Sequence, residues 1–375
     1  MQRPDVARAT GAIDADHDAI VAQWRTITEI PAPSGQEGKR AAAIEALLRG
    51  YGLEDVHRDA VGNVIGVRRG TGGGNRVVFD AHMDTVFPID TDVTTRIENG
   101  KLYAPGVGDD TRNVITLLAI IRAMNAAGLQ TKGDLTFVFT VEEETSFRGA
   151  NQFLADHAKQ IDRYVALDGG FNGFTYGGTG IYWHRYHILG KGGHTRSDTP
   201  PYSATLPLSR AIQRVYALKG TKTSWLNIGM LGGSDVFNAK ASDAWMSVDL
   251  RSTVPAELHA LDSTIQKIVG EEAARAGMTV KREEVSVEEP ATLPGHRDSV
   301  MVRTAEAVYR AFGLDPSITD TASNHTSAAL RAGIPAVGMG AGDCEGSHGL
   351  HENCTVETIF PGIKRTLVLA VALSE

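Results

Sequence analysis

Leu135-Thr136-Phe137-Val138-Phe139-Thr140-Val141-Glu142-Glu143-Glu144 sets a nearly continuous apolar run directly before three carboxylates. Such a run suits a central strand covered on both faces, as in a parallel sheet. Adjacent carboxylates at the end of a buried strand repel one another and lose solvation, a cost that a cation would offset. An acidic turn in open solvent is the alternative reading, and the apolar residues before the glutamates count against it.

The same texture extends in both directions. Upstream, Asn113 to Ala127 places Val114, Leu117, Leu118 and Ile121 at helical spacing and stops at Gly128, which predicts an amphipathic helix. Further upstream, Val64-Ile65-Gly66-Val67 and Arg76-Val77-Val78-Phe79-Asp80-Ala81 read as adjacent strands joined through the turn Gly70 to Gly74. Asp16 to Tyr51 reads as helix, loop, helix, broken at Ile30-Pro31-Ala32-Pro33-Ser34-Gly35. Strands alternating with helices predict an α/β architecture with a mainly parallel central sheet flanked by helices.

Near Gly177 the pattern changes. Strand, helix, strand, strand, helix and strand signals follow at Gly180 to Leu189, Ala204 to Leu218, Trp225 to Leu231, Ala244 to Leu250, Pro255 to Ala276 and Val280 to Val287. The order β-α-β-β-α-β is a recognised arrangement for a small open sheet with helices on one side. After Pro290 the first texture returns, with a helix at Met301 to Phe312, a strand at Ile334 to Gly338 and a closing helix at Val356 to Leu373. The expected division is residues 1–178 with 289–375 as one domain, interrupted by an α+β domain at 179–288.

A formal net charge of -8 without a concentrated run of Lys and Arg argues against nucleic acid as a partner. No apolar stretch approaches the roughly 20 residues of a spanning helix, and Met1-Gln2-Arg3-Pro4-Asp5 leads into acidic residues, so a cytoplasmic protein without a membrane partner is expected. The two cysteines, Cys344 and Cys354, are too few for a disulfide framework. Buried thiols in a reducing compartment are the expectation.

Other potential ligands also stand at strand ends or in glycine-bounded loops. His82-Met83-Asp84 follows the strand ending at Ala81, and offers an imidazole with a carboxylate able to orient it. Gly106-Val107-Gly108-Asp109-Asp110 precedes a helix, where acids ordinarily cap backbone N–H groups. Asp168-Gly169-Gly170 closes the apolar strand Tyr164 to Leu167, and Ser347-His348-Gly349-Leu350-His351-Glu352 forms the last cluster. Each motif alone is commonplace; their joint occurrence along one sheet points to a metal centre. Carboxylates with imidazoles suit zinc, with manganese or cobalt as substitutes. Two divalent ions roughly 3.5 to 4 Å apart are best served by one bridging carboxylate, for which Asp109 is the choice.

The ordered set His82-x-Asp84, Gly-x-Gly-Asp109-Asp110, Glu142-Glu143-Glu144, Asp168-Gly-Gly and His348-x-x-x-Glu352 resembles the co-catalytic zinc peptidases that include peptidase T, carboxypeptidase G, acetylornithine deacetylase and succinyl-diaminopimelate desuccinylase. The resemblance spans essentially the whole chain. It implies that His82, Asp109, Glu144, Asp168 and His348 hold two metals, with Asp109 bridging and Asp84 orienting His82. Glu143 is implied as the general base that moves a proton from the attacking water to the leaving amine. In an extended segment Glu143 and Glu144 would point oppositely, one to the water and one to the metal.

By the same resemblance the inserted domain is a lid and dimerisation domain. Gly190-Lys191-Gly192-Gly193-His194 is similar to the segment whose histidine reaches the partner subunit's site to hold the oxyanion. Asn238 and Arg251 are similar to substrate-binding positions, and Arg251 suits a substrate carboxylate. Without the resemblance, an ion pair between Arg251 and Asp249 would be the simpler reading. The implied activity is metal-dependent hydrolysis of a terminal amide bond in a small peptide, by an exopeptidase acting as a homodimer. Removal of an acyl group from an N-acyl amino acid is the alternative.

Two segments depart from the family's pattern. Asp110-Thr111-Arg112-Asn113 stands where many members carry x-Lys-Gly, and Ala322-Ser323-Asn324-His325 stands where many carry a Ser/Thr-Asp pair. A nucleotide-dependent oxidoreductase would share the α/β texture, but no G-x-G-x-x-G joins an early strand to a helix. A non-catalytic binding protein of the same fold would not need Glu143 beside a ligand.

Overall fold

The computed structural model describes residues 3–196, 198 and 201–375. Met1 and Gln2, part of the N-terminal segment read above for a signal, lie outside the described residues. The chain divides into two compact units, Met1–Gly177 with Thr292–Glu375, and Gly178–Ala291. The base of the second unit is closed by reciprocal backbone hydrogen bonds: Gly178 N–H donates to the Ala291 carbonyl at 2.7 Å, and Ala291 N–H to the Gly178 carbonyl at 2.9 Å. Each unit encloses its own apolar cluster.

The first unit is built on an eight-stranded mixed sheet. In spatial order its strands are Glu54–Arg58, Val64–Arg68, Leu135–Thr140, Val77–His82, Arg163–Leu167, Ala336–Met339, Gly173–Thr175 and Ser317–Thr319. The central strands Leu135–Thr140, Val77–His82, Arg163–Leu167 and Ala336–Met339 run parallel. Every residue of Val77–His82 is buried, as expected for a strand with both faces covered. Val64–Arg68 and Val77–His82 are not adjacent: Leu135–Thr140 lies between them, antiparallel to the first and parallel to the second.

The helix Thr111–Ala127 ends at Gly128, whose φ of 59° supplies the left-handed cap. It is buried around most of its circumference rather than amphipathic, because helices Pro4–Ala15, His17–Thr28 and Ile359–Ser374 pack on it. Pro4–Ala15 precedes the first helix expected from the sequence; its apolar contacts come from Val6, Ala9 and Ile13.

In the second unit, antiparallel strands Ser224–Asn227, Asp243–Ser252, Gly180–Leu189 and Thr279–Glu288 form a sheet in that order. Asp243–Ser252 alternates strictly between buried and partly exposed residues, the signature of a sheet covered on one face. The helices Thr205–Tyr216 and Pro255–Arg275 supply that cover. Among the described residues no helix is long and apolar enough to cross a membrane.

Cys344 and Cys354 are joined in a disulfide, which corrects the expectation of buried thiols. They face each other in an antiparallel pair, with Cα atoms 4.0 Å apart, a cross-strand proximity that their separation in sequence does not reveal.

Candidate metal centre

Because the central strands are parallel, their carboxyl ends lie on one edge of the sheet. His82 terminates one strand, Asp168 follows a second, and the glutamates follow a third. Asp109 enters from the loop before Thr111–Ala127, and His348 from a loop after Ala336–Met339.

Asp109 faces two imidazoles. Its Oδ1 is 3.2 Å from His82 Nε2, and its Oδ2 is 3.2 Å from His348 Nε2. His348 Nε2 is also 3.2 Å from Glu144 Oε2. Potential ligand atoms of His82, Asp109, Asp110 and Asp168 lie within 4.8 Å of one another, as do those of Asp109, Glu144 and His348 and those of His82, Glu143 and Glu144. The structure therefore brings together His82, Asp109, Glu144, Asp168 and His348, and adds Asp110 and Glu143.

Asp84 is fully buried and ties the cluster to its supports. Its Oδ1 is 3.4 Å from His82 Nδ1 and accepts the Glu143 backbone N–H at 2.9 Å, while Oδ2 accepts Glu144 N–H at 3.1 Å and Ser34 Oγ–H at 2.6 Å. Burial works against ionisation of Asp84, but the hydrogen bond and charge of His82, followed by those donors, hold its carboxyl at about 2. Arg40, also buried, donates to the Met83 carbonyl at 2.8 Å and to the Ile30 carbonyl at 2.7 Å, which fixes the backbone between His82 and Asp84.

Glu143 and Glu144 do not occupy an extended segment. Glu142 has φ 52°, and Glu143–Ser146 forms a short helical turn, so the two side chains diverge by helical rotation of roughly 100° per residue. Asp110 sits at the N-cap position of Thr111–Ala127 without making a side-chain cap. Its oxygens instead accept Asn113 Nδ2–H at 2.6 Å and His82 N–H at 3.1 Å. The Asp109–Asp110 peptide is cis.

Burial pushes Glu143 and Asp110 well above the usual carboxylate range and raises Glu144 to about 7. Asp168 is raised by burial and by the charge of Asp109. Asp109 is held low despite its burial, by hydrogen bonds from His348 and His82. Glu144 Oε1 is buried with no hydrogen-bond partner. An aggregate of acids this buried, with an orphaned carboxylate oxygen and two imidazoles, fits divalent cations in its donor chemistry.

The departures from the family's pattern are also structural. Arg112 donates to the Gly169 carbonyl, beside Asp168, and its positive charge faces Asp109, Asp110 and Asp168. Asn324 Nδ2–H donates to the Asp168 carbonyl at 2.5 Å, and His325 pairs with the buried Asp80. Asp110, expected from its position to cap the helix, makes no side-chain cap, and Glu352 and Arg112 had no stated partners in the sequence. Only the position of Arg112 in an unusual segment marked it out.

The remaining predicted residues lie in the second unit. His194, in the strand Gly193–His194, pairs with Ala239 of Ala239–Lys240, and the Asn238 carbonyl accepts Thr195 N–H at 3.1 Å. Arg251 Nε donates to Asp249 at 3.1 Å, the ion pair that its sequence neighbourhood suggested.

The carboxyl ends of the parallel central strands gather carboxylates and imidazoles fit for divalent cations, the site of a metal-dependent hydrolase by its family match. The chain matches peptidase family M20/M25/M40 over residues 78–371, and it belongs to that family. It is 27% identical to succinyl-diaminopimelate desuccinylase of Corynebacterium glutamicum, covering 92% of this chain and 94% of the relative. It is 24% identical to carboxypeptidase G2 of a Pseudomonas species, covering 84% and 79%. Its fold resembles a Staphylococcus aureus tripeptidase, with a TM-score of 0.84 at 20% identity and coverage of 96% and 98%. The aminopeptidase PepT of Bacillus cereus is similar in fold, with a TM-score of 0.79 at 19% identity and coverage of 96% and 99%.

Proposed function

We propose that this protein is a two-metal exopeptidase that hydrolyses a terminal amide bond of small peptides. The observation that carries the reading is the position of Asp109, with one oxygen toward His82 and the other toward His348, beside the buried Glu143. His82, Asp109 and Asp168 would hold one ion, and Asp109, Glu144 and His348 the other, zinc being the first choice and manganese or cobalt the substitutes. Such a pair, when bound, polarises the scissile carbonyl and makes water acidic enough to attack at neutral pH.

Glu143 takes the proton from the attacking water and delivers it to the leaving nitrogen. Its enclosed setting raises its affinity for a proton, which suits both halves of that transfer. Asp84 positions Glu143 through its backbone N–H and orients His82, whose Nδ1 lies 3.1 Å from the Asp84 carbonyl oxygen and 3.4 Å from its Oδ1. From the second unit, His194 would stabilise the oxyanion across a homodimer, while Asn238 and Arg251 would hold the substrate, Arg251 by a carboxylate. The cytoplasm is the location proposed from the sequence, and the Cys344–Cys354 disulfide counts against a reducing compartment.

The similarity to a desuccinylase over nearly the full length favours a second reading, deacylation of an N-acyl amino acid. It requires the same ligands, base and arginine. Release assays with tripeptides, dipeptides and N-acyl amino acids side by side discriminate between the two. Turnover confined to free-amine peptides supports the exopeptidase; turnover confined to acylated amino acids replaces it with the deacylase.

A further inference from the structure

Glu352 lies four residues beyond His348, and it is fully buried. Its carboxylate is spent on a distant backbone turn. Oε2 accepts Gly106 N–H at 2.6 Å, and Oε1 accepts Gly108 N–H at 3.0 Å and Asp109 N–H at 2.7 Å. Its own carbonyl accepts Ala104 N–H at 3.3 Å, so the segment is pinned to the turn by main chain as well. The product of that turn is Asp109, whose side chain faces His348.

Packing leaves this contact little freedom. A Cβ at Gly108 would come within 2.7 Å of Glu352 Oε1 and 3.0 Å of both Cys344 Cβ and Cys354 Sγ. Gly106, at φ 73°, adopts a conformation that side chains disfavour, and its carbonyl accepts Thr111 Oγ1–H at 2.6 Å. The Cys344–Cys354 disulfide closes the segment that carries both His348 and Glu352.

We propose that Glu352 is the positioning residue of the metal pair: by holding the backbone of Asp109 from the segment that bears His348, it fixes the separation of these two ligands. It touches neither substrate nor reacting atoms. The inference rests on the two-metal reading of the cluster, because fixing that separation matters only if both side chains share ions. Groups that orient ligands in this way are worth about 10- to 100-fold in metal affinity.

The test is titration of the metal-free chain with cobalt(II), following stoichiometry, affinity and ligand-field absorption, with wild type, E352A, E352D and E352Q side by side. The wild type takes up two ions. E352A loses about 10- to 100-fold in affinity for the more weakly held ion, and its absorption spectrum changes. E352D, with the carboxylate one methylene short of the turn, loses as much as E352A. E352Q keeps one oxygen for Gly108 and Asp109, and it recovers part of both affinity and spectrum. Should E352A fail to fold, E352D and E352Q decide the matter. Wild-type affinity and spectrum in the variants overturns this inference alone, whereas a wild-type chain that takes up no ion overturns the metal reading beneath it.

Discussion

The carboxylate of Asp84 accepts the backbone N–H of Glu143 at 2.9 Å, so the residue whose carbonyl and carboxylate face the His82 ring also seats the proposed general base. Replacing Asp84 with Asn leaves the shape and removes the charge. We expect kcat to fall about 10- to 100-fold with a smaller change in KM, since the lost interaction supports chemistry rather than substrate contact.

Glu143→Ala separates chemistry from metal binding. General acid–base catalysis contributes roughly 10²- to 10⁴-fold, and a loss of turnover in that range is expected while two ions remain bound per chain. Steady-state rates measured beside metal content check this; full activity in the variant disproves the assigned role.

Metal uptake should release protons. In the metal-free chain the hydrogen bond to Asp109 raises His348 to about 9, and burial raises Glu144 to about 7. At pH 7 His348 therefore carries its proton and Glu144 is partly protonated. Both must be deprotonated to act as ligands, so metal affinity rises with pH across roughly 6 to 9, and uptake at pH 7 releases about one proton or more. Calorimetric titrations in buffers of differing ionisation enthalpy give the number, to which His82 also contributes, since despite its burial the charge of Asp110 and the hydrogen bonds of Asp109 and Asp84 raise it well above the ordinary imidazole range.

Removing the disulfide with Cys344→Ser and Cys354→Ser together should lower stability by about 2–3 kcal/mol, the chain-entropy estimate for a loop of this length. Because the loop bears His348, loosening it should weaken zinc binding, so the loss should grow when stability is measured in excess zinc. Denaturant unfolding with and without the metal checks both statements.

For the second unit, His194→Ala should lower turnover without altering the unfolding midpoint, and Arg251→Lys should raise KM by about tenfold by losing a bidentate carboxylate contact. Size-exclusion chromatography beside these assays tests the trans role: a fully active monomer rules it out.

Much of this was legible in the sequence, for a definable reason. Leu135 to Val141 and Tyr164 to Leu167 are almost wholly apolar because the sheet covers both faces, and the acids that follow them mark its carboxyl edge. The spatial order was not legible: Val64–Arg68 and Val77–His82 look like neighbours, yet Leu135–Thr140 inserts between them by non-local pairing. Glu352 carried only its spacing from His348, because its partners are backbone groups on a turn 243 to 246 residues away. Glu143 and Glu144 were identified by type, but their divergence depends on the left-handed Glu142, which composition does not announce.

Titration of chelator-stripped enzyme with zinc, with amide hydrolysis followed at each addition, bears most directly on the whole account. Activity absent from the stripped chain and restored in full at two equivalents is the expected result. Undiminished hydrolysis by folded protein containing no bound ion would contradict it.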